Sequence, residues 1–549
     1  MDRRADAAAG AGRNPLTLAA LAGLWIAVFA NWPLWRALAA LPESASPRGV
    51  LFMAGFCAMV ALLTIALLSL FAWRRAIKPV AALFLLAAAF GAYFMGSYGI
   101  VIDATMMTNV LHTDPAETRD LLNWRLPASL ALLAGLPLWL LWRMPLERVR
   151  APVQAWRNLL AVVGCLVLLA GLVMALFADL SATMREHKAL RYMINPVNSF
   201  YALGALGVQA GARPKGPPQP IGLDAHLLPL AAGARPPLLL LVIGETARAA
   251  NFSLDGYARP TNPRLQAAGA ISFSDVSSCG TSTAASLPCM FSPLGRDAYR
   301  RRNGDQENLL DVAQRAGLAV LWLDNQSSCK GLCDRVPNAF ANQLAAGASP
   351  LPAGLCEGNE CLDEALLHGL DQRLAALAAE RRQRGVLIVL HQMGRHGPAY
   401  YKRSPAQRKP FLPECTTNVL RECDPAALVN AYDNSIAYTD EVLGQAIGWL
   451  QRQTVGFDPA LLYVSDHGES LGENNLYLHG IPYAIAPRQQ THVPMVAWLP
   501  AEASARADCL RARRALPLSH DNLFHSVLGL LHLRSAEYRA PLDAFAACP

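Results

Sequence analysis

Apolar residues crowd into five stretches of the first third of the chain, at 16–41, 51–73, 80–100, 126–142 and 159–180. About 20 residues of helix cross a bilayer, so the pattern predicts five membrane-spanning helices. Trp25, Trp32 and Trp35 in the first stretch suit an interface belt. That stretch is longer than the apolar run of a cleaved signal peptide, and four more follow it. Residues 98–123 are too polar to span comfortably. Asn109, Thr113 and Glu117 there lie four apart and share one helical face. That face reads either as the ordinary polar side of an interfacial helix or as part of a site.

After residue 180 the pattern changes. Residues 184–202 read as one amphipathic helix on the membrane surface, and 212–220 and 233–237 are Pro/Gly-rich linker. Beyond them, short apolar runs at 238–243, 319–324, 386–391, 461–465 and 493–499 alternate with helical segments, notably 362–383 and 429–451. Such alternation predicts an α/β domain whose central, mostly parallel sheet is covered by helices. The expected organisation is a transmembrane domain at 1–180 with an amphipathic segment near 101–122. A surface helix and linker at 181–237 and a catalytic domain at 238–549 follow.

The chain has 549 residues, 53% hydrophobic and only 16% charged, which fits a protein partly out of water. The net charge of +7 suits an anionic lipid surface, and no basic run interleaved with aromatics suggests nucleic acid. Basic residues mark the cytoplasmic loops. Arg3, Arg4 and Arg13 precede the first span, Arg74, Arg75 and Lys78 follow the second, and Arg143, Arg148, Arg150 and Arg157 follow the fourth. The first loop has only Arg48. The N-terminus is therefore expected in the cytoplasm and the region after residue 180 outside it.

Cysteine usage points to the same side. Cys57 and Cys165 lie in apolar stretches, while the other ten of the 12 fall after the linker. They come as near neighbours, Cys279/Cys289, Cys329/Cys333, Cys356/Cys361 and Cys415/Cys423, with Cys509 and Cys548 left to pair. Cys329/Cys333 and Cys356/Cys361 could instead hold zinc, but none has C-x2-C spacing or an adjacent His. Disulfides in an oxidising compartment are the expectation.

Ligand sites of α/β sheets lie at the carboxyl ends of the strands. The run 238–243 ends in Gly244-Glu245-Thr246, the run 461–465 in Asp466-His467-Gly468-Glu469, and the run 386–391 in Gln392-Met393-Gly394-Arg395-His396. Together they present oxygen and nitrogen donors to one edge, a set that suits zinc. The run Ser278-Cys279-Gly280-Thr281-Ser282-Thr283-Ala284 is either a capped loop closed by a disulfide or a nucleophile loop whose hydroxyl needs a metal or base.

Five segments carry a family resemblance: 241–262 (LVIGETARAANFSLDGYARPTN), 277–291 (SSCGTSTAASLPCMF), 389–398 (VLHQMGRHGP), 430–436 (NAYDNSI) and 463–487 (YVSDHGESLGENNLYLHGIPYAIAP). They resemble the lipid A phosphoethanolamine transferases, which include the mobilised colistin-resistance enzymes and have an alkaline-phosphatase-like catalytic domain. The resemblance implies that Glu245, Thr283, Asp466 and His467 hold one zinc and that Thr283 is the nucleophile. It implies that His396 and His479 contact the phosphoryl group, the acceptor or a second zinc. Ser327 and Lys330 match a substrate-binding segment, and Asn109, Thr113 and Glu117 match membrane-side residues of the donor pocket. It further implies a monomeric inner-membrane enzyme with a periplasmic catalytic domain. That enzyme would move phosphoethanolamine from phosphatidylethanolamine to lipid A through a phosphoethanolamine-threonine, which implies polymyxin resistance.

Two positions depart from the family. Arg395 stands where a Ser usually precedes the His, and Asn475 stands where Gly is usual; both are expected near the pocket. The alternatives are a transferase acting on core oligosaccharide or periplasmic glucan, a phosphoglycerol transferase, and a non-catalytic membrane receptor.

Overall fold

In the computed structural model of the protein, the described residues are 12–112, 115–212, 216–326, 328–358 and 360–548. The chain divides into two compact units: Met1–Met107 with Leu122–Val208, and Thr108–Leu121 with Gln209–Pro549. Part of the segment expected within the membrane domain thus belongs to the second unit.

In the first unit, four described helices are long and apolar enough to cross a membrane: Pro47–Leu70, Ile77–Tyr98, Arg125–Arg143 and Ala151–Ala175. A fifth span is made only if the pair Pro15–Ala30 and Trp32–Ala39, bent by 46°, counts as one. The expected first span is therefore not straight. Pro33 lacks an N–H and interrupts the helical ladder. The buried Asn31 at the break donates to the carbonyls of Ile26 at 3.0 Å and Asn195 at 2.7 Å, and accepts from the Asn195 N–H at 2.9 Å. The polar groups freed by the bend are thereby satisfied inside the protein, as a lipid environment demands.

The single surface helix expected at 184–202 is instead three pieces, Phe177–Glu186, the short turn Leu190–Met193 and Val197–Ala212. Pro196 cannot continue a helix from the residues before it. The polar face expected across Asn109, Thr113 and Glu117 is interrupted as well. Asn109 lies in helix Ala104–His112, whereas Pro115 opens a new helix, Pro115–Leu121, that carries Glu117. Thr113 and the Glu117 side chain lie outside the described residues.

The second unit is built on a seven-stranded sheet. Its strands are β1 (Pro237–Gly244), β2 (Ile271–Phe273), β3 (Ala319–Asp324), β4 (Asn338–Phe340), β5 (Val386–His391), β6 (Asp458–Ser465) and β7 (Met495–Trp498). They lie in the order β2-β7-β6-β1-β5-β3-β4. The five from β6 to β4 are parallel, and β7 runs against both of its neighbours. The sheet is therefore mixed.

Successive side chains of a strand face opposite ways. In β1, Leu239, Leu241 and Ile243 enter one apolar core, and Leu238, Leu240 and Val242 enter another. Burial on both faces explains the unbroken apolar run. The long helix Pro425–Gln453, capped by Asp424, covers the second core. The helix expected over 362–383 is broken into Asp363–Leu367, Leu370–Ala376 and Ala379–Arg382. Gly369 sits at a φ of +69° between the first two.

Five disulfides staple this unit: Cys279–Cys289, Cys329–Cys333, Cys356–Cys361, Cys415–Cys423 and Cys509–Cys548. Cys57 and Cys165 are free thiols.

Candidate active site

The strand register decides which side chains meet. Gly244 of β1 lies beside Ser465 of β6, and Ile243 lies beside His391 of β5, so these parallel strands end level. The residues that leave those ends, Glu245 and Asp466-His467, are delivered to one edge. All three are fully buried, and their ligand atoms lie within 4.8 Å of one another.

Thr283 opens the helix Thr283–Met290. Its hydroxyl lies 3.0 and 2.9 Å from the two carboxylate oxygens of Glu245 and 3.4 Å from His467 Nε2. Backbone N–H groups in the first turn of a helix lack intrahelical acceptors and favour anions, so this position suits a phosphoryl group.

The helix and the acidic edge of the sheet are locked to each other. Ser286 donates to the Asp466 carbonyl. His520, which the sequence reading did not single out, accepts from the Cys279 N–H at 3.0 Å through Nδ1. Its Nε2 then carries the proton and donates to the Ser465 carbonyl at 2.9 Å. Burial keeps this ring neutral, with its pKa lowered to about 4. Two glycines permit the packing. Gly394 has φ +55°, and a Cβ there would stand 2.7 Å from the Glu245 carbonyl oxygen. A Cβ on Gly468 would stand 2.0 Å from the Gln489 carbonyl oxygen.

The donor set is short of a cation. His467 Nδ1 lies 2.9 Å from the Gly468 carbonyl, which can only accept, so Nδ1 carries the proton. Its Nε2 lone pair then faces Glu245 Oε1 at 3.2 Å and Asp466 Oδ2 at 3.4 Å. Asp466 Oδ2 makes no hydrogen bond. Acceptors that converge in this way repel unless a proton or a metal ion sits among them.

The acidities record the conflict. Burial and the charge of Glu245 push the Asp466 carboxyl up to about 7. Burial alone would lower His467, but Asp466 and Glu245 overcome it and raise the ring to about 10. Burial would raise Glu245, yet the hydrogen bond and charge of His467 hold it well below the usual carboxylate range. Two carboxylates, one imidazole and a hydroxyl are the mixed oxygen and nitrogen set that zinc accepts. The residues present fit that ion.

Around this core, the His479 ring is 4.4 Å from that of His467 and 5.9 Å from that of His396. His479 Nδ1 faces Glu469 Oε1 at 3.4 Å, and the other oxygen of Glu469 accepts from the Tyr400 hydroxyl at 3.0 Å. Glu469 belongs to the strand-end run named in the sequence, but no role of its own was expected for it.

Lys330 sits on the small loop closed by Cys329–Cys333, with a φ of +50°. Ser327 lies outside the described residues. Asn109 is half-buried, in the part of helix Ala104–His112 that falls in the second unit.

The two departures resolve differently. Asn475 is exposed at a φ of +59°, a backbone region that glycine favours and asparagine tolerates. Arg395 is completely buried, beside Glu245 and next in the chain to His396, so it lies near the site as expected. Its guanidinium donates to the Glu245 carbonyl and to the Tyr463 hydroxyl, both at 3.3 Å.

Residues 237–533 match the sulfatase family model, and residues 60–210 match that of phosphoethanolamine transferase EptA/EptB. The chain is 38% identical over 548 residues to phosphoethanolamine transferase EptA of Escherichia coli (strain K12), covering 97% of each chain. It is 39% identical over 497 residues to phosphatidylethanolamine transferase Mcr-1 of Escherichia coli, covering 88% of this chain and 90% of that one. Among solved structures, it is similar to the integral membrane protein lipooligosaccharide phosphoethanolamine transferase A (EptA) from Neisseria meningitidis. The TM-score is 0.90 at 32% identity, covering 97% of this chain and 98% of that one.

Proposed function

The chain belongs to the EptA/EptB phosphoethanolamine transferases, and from that premise we propose that it carries phosphoethanolamine from phosphatidylethanolamine to lipid A on Thr283. The observation that carries this reading is the Thr283 hydroxyl, held 2.9–3.0 Å from both oxygens of Glu245 at the charge-conflicted end of the sheet.

Glu245, Asp466, His467 and Thr283 would hold one zinc ion. When bound, that ion supplies positive charge to the phosphoryl oxygens and acidifies the hydroxyl. Glu245, which accepts the Thr283 hydrogen bond, orients the oxygen, and the hydroxyl proton is the one that the departing glyceride oxygen takes up. Thr283 Oγ1 forms a bond to phosphorus as the bond from phosphorus to the glyceride oxygen breaks, and the departing diacylglycerol takes up a proton. An acceptor phosphate or hydroxyl then attacks the phosphothreonine and frees Thr283. His396 and His479 flank the cluster and contact the phosphoryl group, the acceptor or a second zinc. The four central groups come from one chain, so a monomer suffices.

The protein is an inner-membrane enzyme, and a lipid donor explains why its catalytic unit is carried on membrane spans. The basic loops support a cytoplasmic N-terminus with the catalytic unit in the periplasm. Adding the ethanolamine cation to lipid A lowers its net negative charge, which implies resistance to polymyxins.

The test is a pre-steady-state assay. Given a phosphatidylethanolamine analogue and no acceptor, the enzyme should release about one diacylglycerol per molecule and then nearly stall. The peptide containing Thr283 should gain the mass of phosphoethanolamine. Thr283→Ala should give no burst, and Thr283→Ser a weakened one, because a primary hydroxyl still attacks. Full transfer by Thr283→Ala, or a label elsewhere in the chain, would overturn the assignment.

A further inference from the structure

Arg403 joins two pieces of chain that lie 283 residues apart. Its Nη2 donates to Asp120 Oδ2 at 2.9 Å, and its Nε donates to the His396 carbonyl oxygen at 2.9 Å. Its Nη1 faces Glu360 Oε2 at 3.7 Å. Both side chains of the Arg403–Asp120 pair are buried, 7% and 3% exposed. The second oxygen of Asp120 takes the Lys402 ammonium, and its backbone carbonyl accepts from Asn418 Nδ2 at 2.6 Å. Asp120 therefore seats helix Pro115–Leu121 on the loop that follows β5, within the second unit.

His396 is held at two points. Its ring Nδ1 lies 3.0 Å from the Gly397 carbonyl, which can only accept. That contact sets the tautomer, with the proton on Nδ1. Its peptide carbonyl is held by Arg403. A guanidinium offers donors in a rigid fork, so a shift of the Asp120 carboxylate is passed to the His396 backbone. A buried guanidinium that loses its carboxylate also seeks another anion, and Glu360 is the one at hand.

We infer that Arg403 is a positioning residue for His396 whose setting depends on Asp120. The docked helix Pro115–Leu121 thereby tunes phosphoryl transfer. This rests on the reading that His396 contacts the phosphoryl group, the acceptor or a second metal ion.

The experiment uses the full chain in detergent, with a short-chain phosphatidylethanolamine and lipid A, followed by single-turnover kinetics. Asp120→Asn and Arg403→Gln should each lower kcat about ten- to hundredfold, the usual cost of misplacing a contacting group. Zinc content and the KM for the donor should hold. The two losses should not add, because either substitution breaks the same link.

The decisive background is His396→Asn. There, Asp120→Asn should cost no further rate, whereas a merely structural role would slow both backgrounds alike. Additive losses in a slowed His396→Asn enzyme would overturn the inference alone. A fully active His396→Asn enzyme would overturn the reading of His396 and the inference with it. If His396→Asn is too slow to time, amide hydrogen exchange decides. Asp120→Asn must speed exchange over residues 393–399 and leave Glu245 and Asp466-His467 unchanged, and equal exchange at 393–399 would overturn the inference.

Discussion

Two buried carboxylate–imidazole pairs stand on the carboxyl edge of the same sheet. Asp324, at the end of β3, meets His391 Nδ1 at 3.2 Å and accepts from Trp322 Nε1 at 2.9 Å and the Gln326 N–H at 2.7 Å. Asp466, just beyond β6, accepts the Thr246 and His467 N–H groups on one oxygen and makes no hydrogen bond with the other. The acidities diverge accordingly. Burial opposes it, but the His391 charge and the donors hold Asp324 below its ordinary value, whereas burial and Glu245 push Asp466 up to about 7. The first pair balances one imidazole against one carboxylate, whereas in the second a single imidazole, His467, faces two carboxylates, Asp466 and Glu245. A buried Asp–His pair is thus no mark of a site by itself; a deficit of positive charge around it is.

Removing one carboxylate from each pair tests that contrast most strongly. Asp466→Asn should abolish zinc binding and cut transfer by at least about a thousandfold. The fold should survive, because the substitution also relieves repulsion from Glu245. Metal analysis and circular dichroism check both halves. Asp324→Asn should do the reverse. Breaking a buried ion pair costs about 3 kcal/mol of stability, read by denaturant unfolding, while zinc content stays near wild type. Equal loss of metal in the two variants would erase the distinction.

A smaller effect is expected from a group outside both pairs. His396→Ala should retain the central zinc and slow transfer by about a hundredfold, the low end of the range for a positioned proton-transfer group.

The gentlest effect, taken per pH unit, is a slope with pH. In the metal-free protein His467 holds a proton up to about 10 and Asp466 up to about 7, and zinc must displace both. Zinc affinity should therefore rise about tenfold per pH unit between 7 and 10, and more steeply below 7. Calorimetry in buffers of different ionisation enthalpy counts the released protons. Affinity independent of pH would mean that the cluster holds no displaceable proton.

Much of this was legible in the chain. The apolar runs at 319–324 and 386–391 coincide with β3 and β5, because strands buried on both faces leave an unbroken apolar signature. The same runs delivered the strand-end residues of the site. What stayed hidden depends on contacts between distant segments. Nothing near Asp324 announces that its partner is His391, 67 residues away, and nothing near Arg395 shows that its guanidinium turns into the core. The direction of β7 was also unreadable, since an apolar run does not reveal its polarity. The helix over 362–383 failed for a local reason: its apolar spacing continues across Gly369, but the backbone there is left-handed.

The placement of Thr108–Leu121 makes the catalytic unit discontinuous in the gene. A single crossover near residue 209 would move residues 209–549 to a new membrane anchor and leave this piece behind. The transplanted domain would keep Glu245, Thr283, Asp466 and His467 but arrive with Arg403 deprived of Asp120. Productive exchange between relatives then requires both segments to travel together, or a recipient that already supplies a matching acid. For this enzyme the modular unit of inheritance is longer than the domain that performs the chemistry.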